Sequence, residues 1–197
     1  MTAGRERDGG GDDLDHAAVR TTDAEPPSPG RVTGRPRWEI FAGLAVAILV
    51  ADQIAKAWIV ANVDPVRPTP IVGDYLRLIL SHNSGALFGL FRDQAPLFAL
   101  FSFVVIGLIV WYHSRVGASV LLSVALGLLL GGAIGNLADR LRYGYVVDFV
   151  DAGIGDLRWY TFNVADTAIS TALLLLVLVA IRPSLAGTTA QRAGTDA

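Results

Sequence analysis

The stretch Ile40 to Val60, IFAGLAVAILVADQIAKAWIV, decides how the rest of the chain must be read. A helix needs about 20 apolar residues to cross the hydrocarbon core of a bilayer, and this stretch has 21. It also carries Asp52, Gln53 and Lys56, and Lys56 is the only lysine of the chain. An ionisable group inside a span costs roughly 2.5 to 3.5 kcal/mol on insertion scales, so each one calls for a partner or a task. Asp52 and Lys56 are four positions apart, on one helix face, and can pair. Two roles stay open for them: an ion pair that orients this helix against its neighbours, or direct contact with substrate.

Working outward, three more apolar runs follow: Pro96 to Tyr112, Gly117 to Ala138 and Val164 to Ile181, of 17, 22 and 18 residues. Of the 197 residues, 52% are hydrophobic and 17% charged, with a mean hydropathy of +0.47. Much of the polar content falls in residues 1–38, which hold six arginines, seven acids and the Pro26-Pro27-Ser28-Pro29-Gly30 cluster. What remains is too little polar sequence to cover four such helices in water. The expected fold is therefore membrane α: four transmembrane helices with a small extracytoplasmic β-sheet subdomain. Residues 1–38 are expected to form a disordered cytoplasmic tail, 39–182 the four-span domain and 183–197 a cytoplasmic C-terminal tail. No small-residue cleavage pattern follows the first apolar run, so the N-terminus is expected to be kept.

The connections are unequal. Only His113 to Val116 separate the second and third runs, whereas loops 61–95 and 139–163 separate the other pairs. With four spans, both long loops share one side and both termini the other. Six arginines flank the spans on each side, which decides nothing. Arg31, Arg35 and Arg37 precede the first span without an acidic neighbour, and this places the N-terminus in the cytoplasm. Zero cysteines exclude disulfides, thiolate zinc sites and a cysteine nucleophile. Three scattered histidines and a net charge of -2 give no sign of a metal site, a cofactor or a nucleic-acid partner.

Both long loops carry strand signals. Leu76, Leu78 and Leu80 alternate between Gly73-Asp74 and Asn83-Ser84-Gly85, which suits a half-buried strand. Tyr145 to Val150 and Leu157 to Phe162 read as a hairpin around Ala152 to Asp156. In the third span, Gly127, Gly131 and Gly135 repeat every four residues, a pattern that lets helix backbones approach. Gly132, Asn136, Asp139 and Arg140 share one face there, either as a structural hydrogen-bond network or as a substrate surface.

Two carboxylates stand out. Asp148 sits in Val146-Val147-Asp148-Phe149-Val150, and Asp166 lies three residues after Asn163, a plausible N-cap of the fourth span. Both map to the same membrane face. They could form an aspartyl dyad, serve separate capping or ion-pair roles, or line an ion or proton pathway. A dyad shares a proton: the charged member takes a proton from water while the neutral one donates to a peptide carbonyl. The cap position favours the charged form of Asp166, and the apolar frame favours the neutral form of Asp148.

At these residues the chain resembles the lipoprotein signal peptidases, the bacterial signal peptidase II family of aspartic membrane proteases. The resemblance spans about residues 40–181 and rests on ordered blocks: Asp52-Gln53-Ile54-Ala55-Lys56, Asn83-Ser84-Gly85-Ala86-Leu87-Phe88, Gly132 through Asn136 to Asp139-Arg140, Val146-Val147-Asp148-Phe149, and Phe162-Asn163-Val164-Ala165-Asp166. It implies cleavage of signal peptides from diacylglyceryl-modified prolipoproteins, with Asp148 and Asp166 catalytic. Asn83, Gly132, Asn136, Arg140 and Asn163 then match positions around substrate and dyad, and Asp52, Lys56 and Asp139 match supporting polar positions. It further implies no cofactor, membrane lipid surroundings, inhibition by globomycin, and a site facing the outer side of the cytoplasmic membrane. Two rivals remain at this level: a Ser/Lys peptidase using Ser84 and Lys56, and a small proton- or ion-coupled transporter with Asp52, Lys56, Asp139 and Asp166 as a relay.

Overall fold

A computed structural model describes residues 35–85, 94–116 and 118–186. The expectations for the tails beyond these residues, and for Ala86, Leu87 and Phe88 of the first loop motif, lie outside the described residues. Helix α1 (Trp38–Asn62) is followed by strands β1 (Thr69–Val72) and β2 (Leu76–Asn83), then by helices α2 (Ala95–Val116) and α3 (Val120–Tyr143). Strands β3 (Val146–Ile154) and β4 (Leu157–Arg158) come next, then helix α4 (Val164–Ile181) and a short 3-10 turn at Pro183–Ala186. Each of the four long helices is long and apolar enough to cross a membrane.

The two helix ends that differ most from the sequence expectation, the C-termini of α2 and α3, do so for the same reason. Hydropathy falls where polar residues begin, but a helix continues as long as its backbone is satisfied. Helix α2 runs through His113 to Val116, expected as a connection; Ser114 Oγ bonds Trp111 O at 2.6 Å, and the cation Arg115 occupies the last turn, where the helix dipole favours it. Helix α3 likewise absorbs Asp139, Arg140 and Arg142, which moves Asp139 and Arg140 out of the expected loop 139–163. It stops at Gly144, whose left-handed φ of 78° places its amide 3.0 Å from Arg140 O.

Helix α3 is the axis of the bundle: 67% of its span is buried, against 22%, 17% and 17% for α1, α2 and α4. Its small residues make this possible. A Cβ on Gly131 would stand 2.7 Å from Ala45 O of α1, and one on Gly132 would stand 2.6 Å from Ala165 O of α4, so neighbours approach on both sides at backbone distance. Phe41, Ala45, Ile109, Leu126 and Leu130 fill the core between α1, α2 and α3. Near the start of α1, Phe41 stacks on buried His113 at 4.0 Å, and Arg37 Nε donates to Ala118 O at 2.9 Å. The outer faces carry exposed Leu100, Phe101, Leu174 and Ile181, as expected of surfaces in contact with acyl chains.

The loops form one antiparallel sheet in the order β1-β2-β3-β4. Strands β2 and β3 were legible, but β2 is half-buried on both faces, without the expected alternation, and β3 runs on to Ile154 through residues expected in the hairpin loop. β4 is only two residues long, and Phe162 joins the sheet through a single bridge to Val150. β1 escaped the sequence reading because Pro70 interrupts it; proline is tolerated there because the strand lies on the sheet edge. Asp151 staples the strands, accepting from Arg77 Nη2 at 2.6 Å and from Arg158 Nε at 2.9 Å. Burial pushes the Asp151 carboxyl up, but the hydrogen bonds from Arg158 and Arg77 outweigh it and hold the group below the usual carboxylate range.

Candidate active site

The site is built on the first turn of α4, whose free amides need acceptors. Asn163 caps the helix: its side chain accepts from Asp166 N at 2.9 Å, and the Asp166 carboxylate reaches back to Asn163 N at 3.3 Å, closing a capping box. A second free amide, Ala165 N, donates to Asp52 Oδ1 of α1 at 2.9 Å. The carboxylate that is costly in the first span therefore completes the start of the last one.

Asp148 is 1% exposed on β3. Asn163 Nδ2 donates to its Oδ1 at 2.7 Å, and Asn83 Nδ2 of β2 donates to its Oδ2 at 3.0 Å. Burial, reinforced by the negative charge of Asp166, pushes the Asp148 carboxyl up to about 7; the amides of Asn83 and Asn163 and the charge of Lys56 oppose this without prevailing. Asp166 accepts from Asn136 Nδ2 of α3 at 2.8 Å. Asn163 thus bonds to both aspartates.

Behind them, Lys56 is buried with three acceptors: Asp52 Oδ2 at 2.8 Å, Asp139 Oδ2 at 2.8 Å and Asn136 Oδ1 at 3.3 Å. Asp139 also accepts from the amide of Val147, next to Asp148, at 3.0 Å. In front, a cavity of about 730 Å³ is walled by Asp166, Asn83, Arg140, Trp159, Phe162 and Thr171 among others. Asp148 lies one layer behind that wall. A narrower apolar groove between α2, α3 and α4 meets the cavity at Arg140 and Phe98. The Arg140 guanidinium lies 5.5 Å from the Phe98 ring, and its one hydrogen bond among the described residues is to Asn136 O at 3.3 Å. No group of three or more His, Cys, Asp or Glu among the described residues is placed to hold a metal ion.

Of the ten residues singled out from sequence, Asp52, Lys56, Asn83, Asn136, Asp139, Asp148, Asn163 and Asp166 join one continuous hydrogen-bond network, and Arg140 adjoins it. Gly132 packs under Ala165 and Ile169 instead. The shared face expected for Gly132, Asn136, Asp139 and Arg140 divides: Asp139 turns to α1 and β3, Arg140 to the cavity. Sequence reasoning missed the task of Gln53, which donates to Asp139 Oδ1 at 3.0 Å and Asp52 Oδ2 at 3.2 Å; a polar residue inside a span was the available signal. It also missed Phe98 and Trp159, which nothing local distinguishes from other apolar residues.

Four apolar helices, a small antiparallel sheet and a polar cluster opening on a cavity define a multi-pass membrane protein with an enzyme-like site. A family profile described as signal peptidase (SPase) II matches residues 44–182. The lipoprotein signal peptidase of Caulobacter vibrioides is 43% identical over 151 residues, covering 73% of this chain and 87% of that protein. That of Syntrophomonas wolfei is 40% identical over 140 residues, covering 71% and 91%. A solved bacterial membrane enzyme shares the fold with a TM-score of 0.71 at 24% identity, covering 76% of this chain and 92% of its own. The chain belongs to the signal peptidase II family and is a membrane peptidase.

Proposed function

We propose that the protein removes signal peptides from diacylglyceryl-modified prolipoproteins, with Asp148 and Asp166 as the catalytic pair. The observation that carries this reading is Asn163, whose side chain and backbone amide hold both carboxyl groups, Asp166 on the wall of a peptide-sized cavity and Asp148 directly behind it. Asp166, at the positive end of α4, is the ionised member; Asp148, whose burial beside Asp166 outweighs the two amides that face it, is the neutral one. In the reaction Asp166 takes a proton from water as the oxygen attacks the scissile carbonyl, and Asp148 gives its proton to the carbonyl oxygen. The tetrahedral intermediate collapses when the nitrogen of the leaving segment takes a proton from Asp166 and the C–N bond breaks, and Asp148 regains its proton from the hydroxyl.

Arg140 and Asn83, both on the cavity wall, are the polar contacts for the extended substrate backbone, and Gly132 and Asn136 set the distance between α3 and α4. The family resemblance supports a site on the outer side of the cytoplasmic membrane, termini in the cytoplasm, and inhibition by globomycin. A serine mechanism with Lys56 as base fits poorly, because each of the three ammonium hydrogens has a buried acceptor. The test is cleavage of a lipidated prolipoprotein in detergent. Asp148→Asn and Asp166→Asn are expected to lose activity by about 10³-fold or more, and Ser84→Ala to keep it; activity surviving in either Asn variant would remove the dyad.

A further inference from the structure

The three asparagines that touch the dyad can each turn their amide either way, offering N–H or C=O. In this chain the choice is fixed by groups that can only donate. Gly85 N, at 3.2 Å, takes Asn83 Oδ1, so the Asn83 amide nitrogen faces Asp148. Asp166 N takes Asn163 Oδ1, so the Asn163 nitrogen faces Asp148. The Lys56 ammonium, with no acceptor capacity, takes Asn136 Oδ1, so the Asn136 nitrogen faces Asp166 Oδ1. Two of these anchors are backbone groups. The third is a side chain.

Asn136 has one other restraint, the Asn163 Nδ2 at 3.2 Å, but that nitrogen also serves Val147 O at 3.3 Å and Asp148 Oδ1 at 2.7 Å with only two hydrogens. Without the Lys56 donor the Asn136 amide is weakly held. Turned over, it would set Oδ1 against Asp166 Oδ1, and two acceptors at hydrogen-bond distance repel. Resting on the proposed dyad, we infer that Lys56 is a positioning residue for catalysis, which through its hydrogen bond to Asn136 ensures that Asp166 meets an N–H and never a carbonyl.

The charged groups around Asn136 and Asp166 are Asp52 and Lys56 on α1, Asp139 and Arg140 on α3, and Asp148 on β3. Replacing Lys56 alone leaves Asp52 and Asp139 without a cation and endangers folding. The test therefore uses two double variants, Lys56→Met/Asp139→Asn and Lys56→Gln/Asp139→Asn. Each keeps the formal charge of the Asp52–Lys56–Asp139 cluster at the wild-type value, and they differ in whether position 56 retains an N–H donor. Both are purified in detergent and compared with wild type, Asp148→Asn and Asp166→Asn for thermal stability, kcat, KM and the pH dependence of kcat/KM.

The methionine variant is expected to fold and keep KM within about 3-fold while kcat falls about 10²-fold, with the acidic limb of the profile displaced upward by about one unit. The glutamine variant should recover at least about 10-fold of that kcat and return the limb towards wild type. Equal kcat and equal profiles in the two doubles would overturn the proposal, as would failure of both to fold, since Lys56 would then act through charge or assembly alone. Activity in Asp148→Asn or Asp166→Asn would instead bring down the dyad itself.

Discussion

At the residue scale, the proposed mechanism makes Asp148 the link between catalysis and pH. Its carboxyl, pushed up to about 7, must hold a proton in the proposed reaction, so kcat/KM should fall as pH rises through that value. The stability sign follows from the same shift. An unfolded chain releases this proton near the ordinary carboxylate value of 3.8, whereas the folded protein keeps it to about 7, so folding stability is lost as pH climbs across that window. Asp148→Asn removes the titration. Relative to wild type it should gain thermal stability between about pH 4 and about pH 8, measured as the difference in Tm; a constant difference would show that the group titrates at its ordinary value. The apolar frame around Asp148 and the third-position placement of Asp166 were legible in sequence. The direction of the Asn136 amide was not, because it depends on Lys56, brought from α1 by the fold.

At the element scale, the position of α4 rests on the absence of side chains from α3. Gly132→Leu would push against Ala165 O and Ile169 on the turn that carries Asp166, while Gly107 on α2 has no heavy atom within 4 Å of where its Cβ would sit. Gly132→Leu should therefore abolish cleavage and lower Tm, and Gly107→Leu should change neither; similar behaviour of the two would mean that α3 and α4 separate easily. Helix existence was legible from length and hydropathy, and both bounds of α4 could be read because Asn163 and Arg182 flank it sharply. The ends of α2 and α3 could not be read from hydropathy. Their terminal polar residues are helical because they find partners inside the fold: His113 meets Ser123 at 3.2 Å, and Asp139 meets Lys56.

At the scale of the whole molecule, α1 and α4 are tied by the Asp52–Ala165 hydrogen bond across 113 positions of sequence. Asp52→Asn weakens the acceptor for that amide. The expected result is faster hydrogen exchange at Ala165 and about 10-fold lower kcat/KM, and unchanged exchange would show that α4 is held without α1. The four-span architecture and the pairing of Asp52 with Lys56 could be anticipated from sequence, but their attachment to the amides of the last helix could not, since no local pattern encodes it. This tie also bears on biosynthesis. α1 enters the membrane first, and its i, i+4 pair lets Asp52 wait there with its charge balanced. Asp148 and Asp166 emerge from the ribosome late, and Asn163, which caps the last span with Asp166 and donates to Asp148, takes its place only when that span has arrived. On the proposed mechanism a chain still being made has no working site, so it would cut nothing while it is itself an unfinished, exposed polypeptide.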